Sequence, residues 1–393
     1  MRMLVALAAA SLVTLGAAPQ ESVKLVVHEW GTFTSVAGSD GASLDWRPLA
    51  GPSDLPSFVY DVSKMPKGLR HGESIEPCSN GHKDSLECGK GCTQGTIRME
   101  TPVLYFYSDQ ETTVSVRVGF PKGKITEWYP AARRVGEGID WGQFRILKNS
   151  KADLKREAGD SHYYPARETD SDLVRVCSGQ NPEFEKFLFY RGVGTFDLPL
   201  KVTLAGDKVT VRNVGKDQID QVVLFENRGG KVGYRIHCYL KDEVTFDRPT
   251  TDHGIDSLMK DLEKILKGQG LYEKEAQAML KTWRDSWFEP GLRVFYTVPK
   301  MATAWTLPLL ISPAPTELKR VLVGRSEIIT PEMEAAISDL VTKLGNDSLE
   351  TRDSASKALA GYGRFAEPIL KKMLAATNDP ETKARIVRLL EAR

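Results

Sequence analysis

The chain has 393 residues, of which 41% are hydrophobic and 27% charged, which is enough to bury a sizeable core in two or three domains. Its 53 Lys and Arg residues almost balance 52 Asp and Glu residues, and the formal net charge is +1. This balance supplies no global field for nucleic acid or an anionic membrane, and no phosphate-binding glycine motif is present. We therefore expect neither nucleotide nor nucleic-acid binding.

The first residues predict export. Residues 1–3 give a positively charged start, residues 4–16 are apolar, and the small-residue stretch at 17–20 suits cleavage by a signal peptidase. The apolar run is shorter than the roughly 18 to 20 residues that a membrane-spanning helix needs. We expect residues 1–19 to be a signal peptide and the mature chain, with no membrane span, to be periplasmic or secreted.

The next stretch, VVHEWGTFTS at 26–35, combines polar and apolar residues in a strand-like run. In a regular strand the side chains alternate between faces, so His28 and Glu29 cannot join one site. The face of Glu29 is largely apolar, so Glu29 should lie at an edge or pair with a cation such as an arginine. A bulge at Gly31 is the alternative. We predict the regular strand, with Trp30 packed structurally and His28 facing a polar cleft.

Five cysteines follow, three in a polar, glycine-rich loop and two in strand-like surroundings: Cys78, Cys88, Cys92, Cys177 and Cys238. In an oxidising compartment the expected state is disulfides, although an odd count leaves one thiol over unless a bond joins two chains. The alternative is a structural zinc site. Cys78, His82, Cys88 and Cys92 form C-x3-H and C-x3-C pairs, a Cys3His ligand set of acceptable spacing.

From residue 23 to about 250, apolar residues alternate or form short runs bounded by Gly, Pro, Asn and Asp, which is typical of strands. Examples are the runs at 114–118, 201–204, 208–211 and 222–225. The segments 121–124 and 205–207 are expected to be hairpin turns. Because no helices intervene, we predict a mainly β body of antiparallel, sandwich-like sheets.

Residues 255–288 predict a helical pair inserted into this body. Leu258, Leu262 and Leu266 share one face of the first helix, and a Gly-Gln-Gly sequence ends it. The second helix carries Trp283 and Trp287 on its apolar side. We expect both tryptophans in the core, with a sugar-binding groove as the alternative.

The last part predicts a separate helical segment. Thr330 can cap a helix that begins at Pro331, and helical stretches follow at 350–362, 366–375 and 380–392. Through SASKALAGYGRFAEPILKKML and NDPETKARIVRLL, this segment resembles HEAT-like repeats, and the resemblance implies contacts with proteins. Because solenoids usually need about three repeats to be stable alone, these two hairpins should dock on the body or on a partner.

The body also resembles a known family through HEWGTFTS, RMETPVLYFYS, HYYPARETD, KFLFYRGVG and GLYEKEAQAMLKTWRDSWFEPGLRVFY. Together these stretches are similar to an exported bacterial family with an N-terminal HEWGTF motif. The match spans nearly all of residues 23–330. The resemblance implies export and carries no activity with it.

Polar residues from these stretches are candidates for a catalytic site: His28, Glu100, His162, Glu168 and Arg191. They would suit a hydrolase or lyase, since active sites gather residues remote in sequence. The alternatives are structural, namely ion pairs within the loop that holds His162 and Glu168, and a buried pair between Arg191 and Glu100. The chain has no serine-hydrolase or zinc-protease motif.

Two functions therefore remain open. The first is an exported, β-rich binding or assembly protein with a body over 20–329 and a protein-contacting tail over 330–393. The second is an extracytoplasmic hydrolase or lyase that acts on a glycan or peptide with a His/Glu/Arg site. The first is favoured because an interaction element is recognisable and no complete catalytic motif is. No cofactor is expected beyond the structural zinc.

Overall fold

The computed structural model describes residues 23–46, 54–64, 97–178, 181–252 and 254–391. The predicted signal peptide and the loop with Cys78, His82, Cys88 and Cys92 lie outside the described residues. The choice between disulfide and zinc in that loop therefore stays a prediction.

The strands of the described ranges are, in chain order, β1 (Leu25–Ala37), β2 (Tyr60–Asp61), β3 (Ile97–Ser108), β4 (Thr112–Gly119), β5 (Gly123–Tyr129), β6 (Arg134–Val135), β7 (Gly138–Leu147), β8 (Leu173–Ser178), β9 (Asn181–Glu185), β10 (Leu188–Gly194), β11 (Leu200–Ala205), β12 (Lys208–Asn213), β13 (Ile219–Arg228), β14 (Lys231–Leu240), β15 (Glu243–Asp247), β16 (Gly291–Thr297), β17 (Leu309–Ser312) and β18 (Glu317–Ile328). The helices are α1 (Ile255–Gly268), α2 (Glu273–Trp287), α3 (Lys300–Thr306), α4 (Pro331–Lys343), α5 (Leu349–Gly361), α6 (Ala366–Ala376) and α7 (Pro380–Glu391).

These strands form three sheets. The largest has nine strands in the order β14-β13-β16-β18-β1-β3-β10-β5-β2. A six-stranded sheet contains β17-β4-β7-β8-β9 with β6 paired to β7, and a three-stranded sheet contains β11-β12-β15. The prediction of a mainly β body with antiparallel sheets is confirmed, with one exception: β1 and β18 pair in parallel.

The nine-stranded sheet lies between two apolar layers because its side chains alternate. On one face, residues such as Leu224 and Val294 join a core shared with both smaller sheets. On the other face, residues such as Phe225 and Phe295 pack against α1 and α2. We call this second side the helix-facing side. Both faces of the inner strands of this sheet are covered, whereas the edge strand β14 exposes residues such as Ile236. Polar residues on the inner strands therefore need partners.

Strand β1 keeps the predicted alternation. Val27 and Phe33 belong to the core shared by the sheets, while Trp30 is fully buried on the helix-facing side. A bulge does occur next to Gly31, but the extra residue is on β3, where Thr101 has a φ of 47°. A Cβ on Gly31 would lie 3.0 Å from Pro102 of that bulge, so glycine permits the close approach.

Of the two predicted hairpin turns, one is confirmed and one is wrong. Gly206 has a φ of 57° and joins β11 to β12, which pair directly. The turn at 121–124 joins β4 to β5, but β4 pairs with β7 and β17, and β5 pairs with β10 and β2. The chain therefore changes sheets at this turn, which a local turn pattern cannot reveal.

The helical pair is confirmed as α1 and α2. Leu258, Leu262 and Leu266 are buried on one face of α1, as the spacing predicts. Trp283 and Trp287 of α2 are 2% and 1% exposed and belong to the helix-facing core. The alternative of a sugar-binding groove formed by these two tryptophans is therefore wrong.

The C-terminal helices α4–α7 dock on the body. The Thr330 side chain accepts a hydrogen bond from Met333 N, so the predicted cap of α4 is confirmed. The apolar faces of the four helices form a core with Val36, Trp46 and Ile329 of the body. This contact answers the sequence question of what the short helical segment packs against.

Candidate functional site

A row of charged residues crosses the helix-facing side of the nine-stranded sheet. Its members lie on four strands of this sheet. Its members are Arg293 on β16, Arg325 and Glu327 on β18, Arg98 and Glu100 on β3, and Arg191 on β10. All but Arg98 are at most 5% exposed. We call this set the charged row.

At one end of the charged row, two of the predicted catalytic candidates meet at Asp54. Arg191 donates from Nη1 and Nη2 to the two carboxylate oxygens of Asp54, at 2.9 and 3.3 Å. His162 Nδ1 lies 2.9 Å from Asp54 Oδ2, and its Nε2 lies 2.8 Å from Asp285 Oδ1 on α2. The buried Arg191 and the part-exposed His162 are thus held by one shared carboxylate.

The charges of this cluster reinforce one another. Burial alone would raise the pKa of Asp54, but Arg191 and the hydrogen bond with His162 outweigh it and hold that pKa well below its usual range. The hydrogen bond with Asp54, opposed by partial burial and supported by Asp285, raises the pKa of His162 to about 9. His162 is therefore a cation at neutral pH and is not available as a general base.

The raised pKa of His162 predicts a pH-dependent stability. The folded value of about 9 exceeds the usual 6.5, so the stabilisation is complete below about pH 6.5 and is lost as the pH rises through 9. Because His162 and Asp285 are partly exposed, we expect a loss on the order of 1–2 kcal/mol. Urea unfolding of wild type and of His162→Gln gives the difference in their free energies of unfolding at about pH 6 and at about pH 9.5. We expect this difference to be smaller at pH 9.5. Equal differences at the two pH values would contradict the prediction.

The other candidates do not join this cluster. Glu100 was one candidate partner for Arg191, but it accepts from Thr34 Oγ1 at 2.8 Å and lies 3.5 Å from Arg98 Nε. Glu168 is on the surface, where it pairs with Lys281 Nζ at 2.6 Å. Charged side chains of opposite sign therefore already occupy both carboxylates.

His28 lies in a different, fully buried cluster. Its Nδ1 is 2.8 Å from Glu275 Oε2, and Glu275 also accepts from Tyr107 Oη at 2.7 Å and from Tyr272 N at 2.8 Å. The ring of Tyr272 covers that of His28, with 4.5 Å between the ring centres. The expectation that His28 faces a polar cleft is wrong, because α2 closes over this part of β1.

Glu29 points to the opposite face of β1, as predicted. It accepts hydrogen bonds from Arg320 Nε and from Tyr190 Oη and has no exposed surface. The expected pairing with an arginine is confirmed. Although they are adjacent in the sequence, His28 and Glu29 therefore belong to two clusters on opposite sides of the sheet.

Metal-binding groups are not assembled in the described ranges, where no three His, Cys, Asp or Glu side chains lie together in a suitable arrangement. Cys177 and Cys238 are free, exposed thiols. Sequence reasoning did not identify Asp54, Asp285 or Glu275, since each contacts its histidine across more than a hundred residues.

A cavity of about 310 Å³ lies at the end of the nine-stranded sheet where β16 stops. Asp217 and Asp220 border it on one side, Arg320 and Leu322 on the other, and Met301 of α3 at its end. Beside it, Met301 and Trp305 are 54% and 76% exposed. Four residues apart on α3, they form one apolar surface, which we call the α3 ridge.

Comparison with known proteins finds no matching family model and no matching curated relative. Among solved structures, the chain has a distant similarity to a yeast delta-COP-I mu-homology domain in complex with a WxWxV peptide. The identity is 7% and the TM-score 0.27, over 78% of this chain and 96% of that one. The yeast domain without the peptide gives 7% and 0.28, over 78% and 97%. Within the described ranges, no helix is long and apolar enough to cross a membrane.

Proposed function

We propose that the chain is an exported binding or assembly protein and that it contacts other proteins. The α3 ridge beside the cavity carries this proposal. Trp305 and Met301 expose large apolar surfaces on one side of a short helix, next to a concave site with both polar and apolar walls. Exposed tryptophan and methionine next to a cavity are typical of protein interaction sites.

The placement of the catalytic candidates supports binding over hydrolysis. His28, Glu100 and Glu168 lie in separate clusters, and each has an ion-pair partner. Only His162 and Arg191 share a carboxylate, and that histidine is held as a cation by Asp54 and Asp285. A general base needs an unprotonated nitrogen within reach of the substrate, which this arrangement does not offer.

The C-terminal helices supply a second contact surface. Their inner faces pack on Val36 and Trp46, while Leu349 at the start of α5 and Val387 on α7 stay 58% and 38% exposed. We infer that these helices act as HEAT-like hairpins that contact a protein partner. Export is supported by the charged start and apolar run of residues 1–19.

Selection of peptides from a phage-displayed random dodecapeptide library on the immobilised chain tests this function. We expect enriched peptides whose affinity falls about tenfold with Trp305→Ala, because the indole supplies much of the apolar contact. Leu349→Ala is the comparison variant, because it truncates an exposed apolar residue of the other proposed contact surface, the tail. Affinity should change less than about twofold there.

Two results would contradict parts of the proposal. If Leu349→Ala weakens binding and Trp305→Ala does not, the tail is the peptide site. If no peptide is enriched above the uncoated support, and the purified chain hydrolyses members of a glycan, peptide or ester panel, the function is enzymatic.

A further inference from the structure

The cavity beside the α3 ridge lies where β16 ends and its two neighbouring strands continue. In the nine-stranded sheet β16 lies between β13 and β18 and pairs with both. It ends at Thr297, opposite Val323, whereas β18 begins six residues earlier at Glu317, and β13 also starts beyond the end of β16, at Ile219. Two strands on either side of a third are separated by about 9.5 Å, twice the spacing between neighbours. The cavity therefore continues the line of β16.

One wall of this gap is an open strand edge. Val298 N donates to the carbonyl oxygen of Leu322 at 2.8 Å, so the main-chain groups of Leu322 face the β16 side. Main-chain groups alternate along a strand, which places those of Arg320 on the same side, toward the gap. Within the described residues, no strand pairs with this edge of β18 before Leu322, while the opposite edge pairs with β1. Such an edge is a template for another extended chain.

The other walls suit a polypeptide more than a small ion. Asp217 and Asp220 lie on the β13 side, and Lys300 lies at the start of α3, so both signs of charge border the gap. Arg320 is already neutralised by Glu29. A main chain presents donors and acceptors in alternation, which this mixed lining and the open edge of β18 can both satisfy.

We propose that the gap binds an extended segment of a partner protein, which pairs as an added strand with the open edge of β18 alone. The segment pairs with the main chain of β18 over about four residues, or roughly 13 Å. One of its apolar side chains packs on the α3 ridge. This proposal rests on the proposed binding function and names the chemistry of its ligand: main-chain hydrogen bonds give the affinity, and an apolar residue gives selectivity.

N-methylation of the peptides selected on the chain tests the added strand. Each methyl group removes one main-chain donor, and only alternate donors of an added strand face β18. We expect losses of about tenfold or more at every second residue across the bound segment, with smaller losses between them. Fluorescence anisotropy with labelled peptides measures the series. If the losses of affinity do not alternate along the peptide, the proposal is overturned. This test changes only the peptide, so it does not depend on the folding of any variant of the chain.

Substitutions of the exposed Gln218, which borders the gap on the β13 side, provide a matched pair. Gln218→Trp fills space in the gap and should weaken peptide binding about tenfold, whereas Gln218→Ala enlarges the gap and should change it less than about threefold. Circular dichroism checks that both variants fold. Equal affinity of the two variants would contradict the proposal.

The outcomes separate the two proposals. Enriched peptides that bind Gln218→Trp as well as wild type, without alternation in the methylation series, leave the binding function standing and remove the gap as its site. Failure to enrich any peptide removes the binding function itself. A wild-type dimer by light scattering that becomes a monomer with Gln218→Trp would identify a second copy of this chain as the occupant and overturn the proposal of a separate partner.

Discussion

Replacing Glu327 with glutamine is expected to destabilise the fold by about 3–5 kcal/mol, because it leaves buried guanidinium groups without a counter-charge. Glu327 has no exposed surface and contacts Arg293 Nε at 3.0 Å, Arg364 Nη2 at 2.7 Å and Arg325. Burial alone would raise the pKa of Glu327, but these three arginines hold it below its usual range. Glu327 is therefore ionised at neutral pH, and glutamine removes that charge.

Urea unfolding of Glu327→Gln at neutral pH measures this loss. The matched control is Glu111→Gln, which removes the same charge from an ion pair with Arg145 whose side chains are about half exposed. An exposed pair contributes little, so the control should lose less than about 1 kcal/mol. If the two variants lose equal stability, the charged row does not depend on Glu327 for its neutralisation.

The same carboxylate connects the body to the tail. Arg364 lies in a short turn between α5 and α6 and donates to Glu327 and to Glu289. Deleting Thr330 onward would remove this cation and uncover Val36 and Trp46 of the body. We still expect a folded body, since Arg293 and Arg325 remain to neutralise Glu327.

Local pattern accounts for the elements that the sequence predicted. The spacing of Leu258, Leu262 and Leu266 defines a helix whatever it packs against, and Thr330 before Pro331 caps one without tertiary help. Alternation in β1 likewise follows from a rule within one strand. Pairing between strands does not follow from such rules. The parallel contact of β1 with β18 joins residues almost three hundred positions apart.

Apart from Glu100 and Arg191, the charged row was missed because charged residues at alternate strand positions are typical of a solvent face. In RMETP, Arg98 and Glu100 flank the apolar Met99 in that way, and in GRSEI Arg325 and Glu327 flank the small polar Ser326. The structure buries these faces under other parts of the chain. One feature of the sequence did indicate burial. Charged residues of both signs recur on strands whose other face is apolar, so they could neutralise one another inside the protein.

The gap at the end of β16 was not predictable for a related reason. It arises because β16 is shorter than its neighbours β13 and β18 at this end of the sheet. No single stretch of sequence encodes where one strand ends relative to the strands that pair with it. Asp54 and Asp285 were missed because only the folded chain brings them to His162. Partners of this kind need the sheet register before they can be identified.

Replacing Glu29 with glutamine should cost about 3 kcal/mol, because the guanidinium of Arg320 would stay nearly buried without its counter-charge. Arg320 Nε and Tyr190 Oη both donate to this carboxylate on the face of β1 that the smaller sheets cover. Arg320 Nη1 also donates to the Leu307 carbonyl at 2.7 Å, so the arginine cannot easily leave for solvent. Thermal and urea unfolding measure the loss.

A double-mutant cycle separates the ion pair from simple packing. Arg320→Met keeps the apolar stem and should also destabilise, since it leaves the buried Glu29 carboxylate with Tyr190 alone. Combining Glu29→Gln with Arg320→Met removes both charges, so the double variant should be at least about 2 kcal/mol more stable than the sum of the single losses predicts. Additivity within about 0.5 kcal/mol would show that Glu29 and Arg320 stabilise the strand independently. In that case Glu29 of the HEW motif would stabilise the fold through its hydrogen bond with Tyr190. If Glu29 instead stabilised the fold by neutralising Arg320, the losses of stability in the two single variants would not be additive.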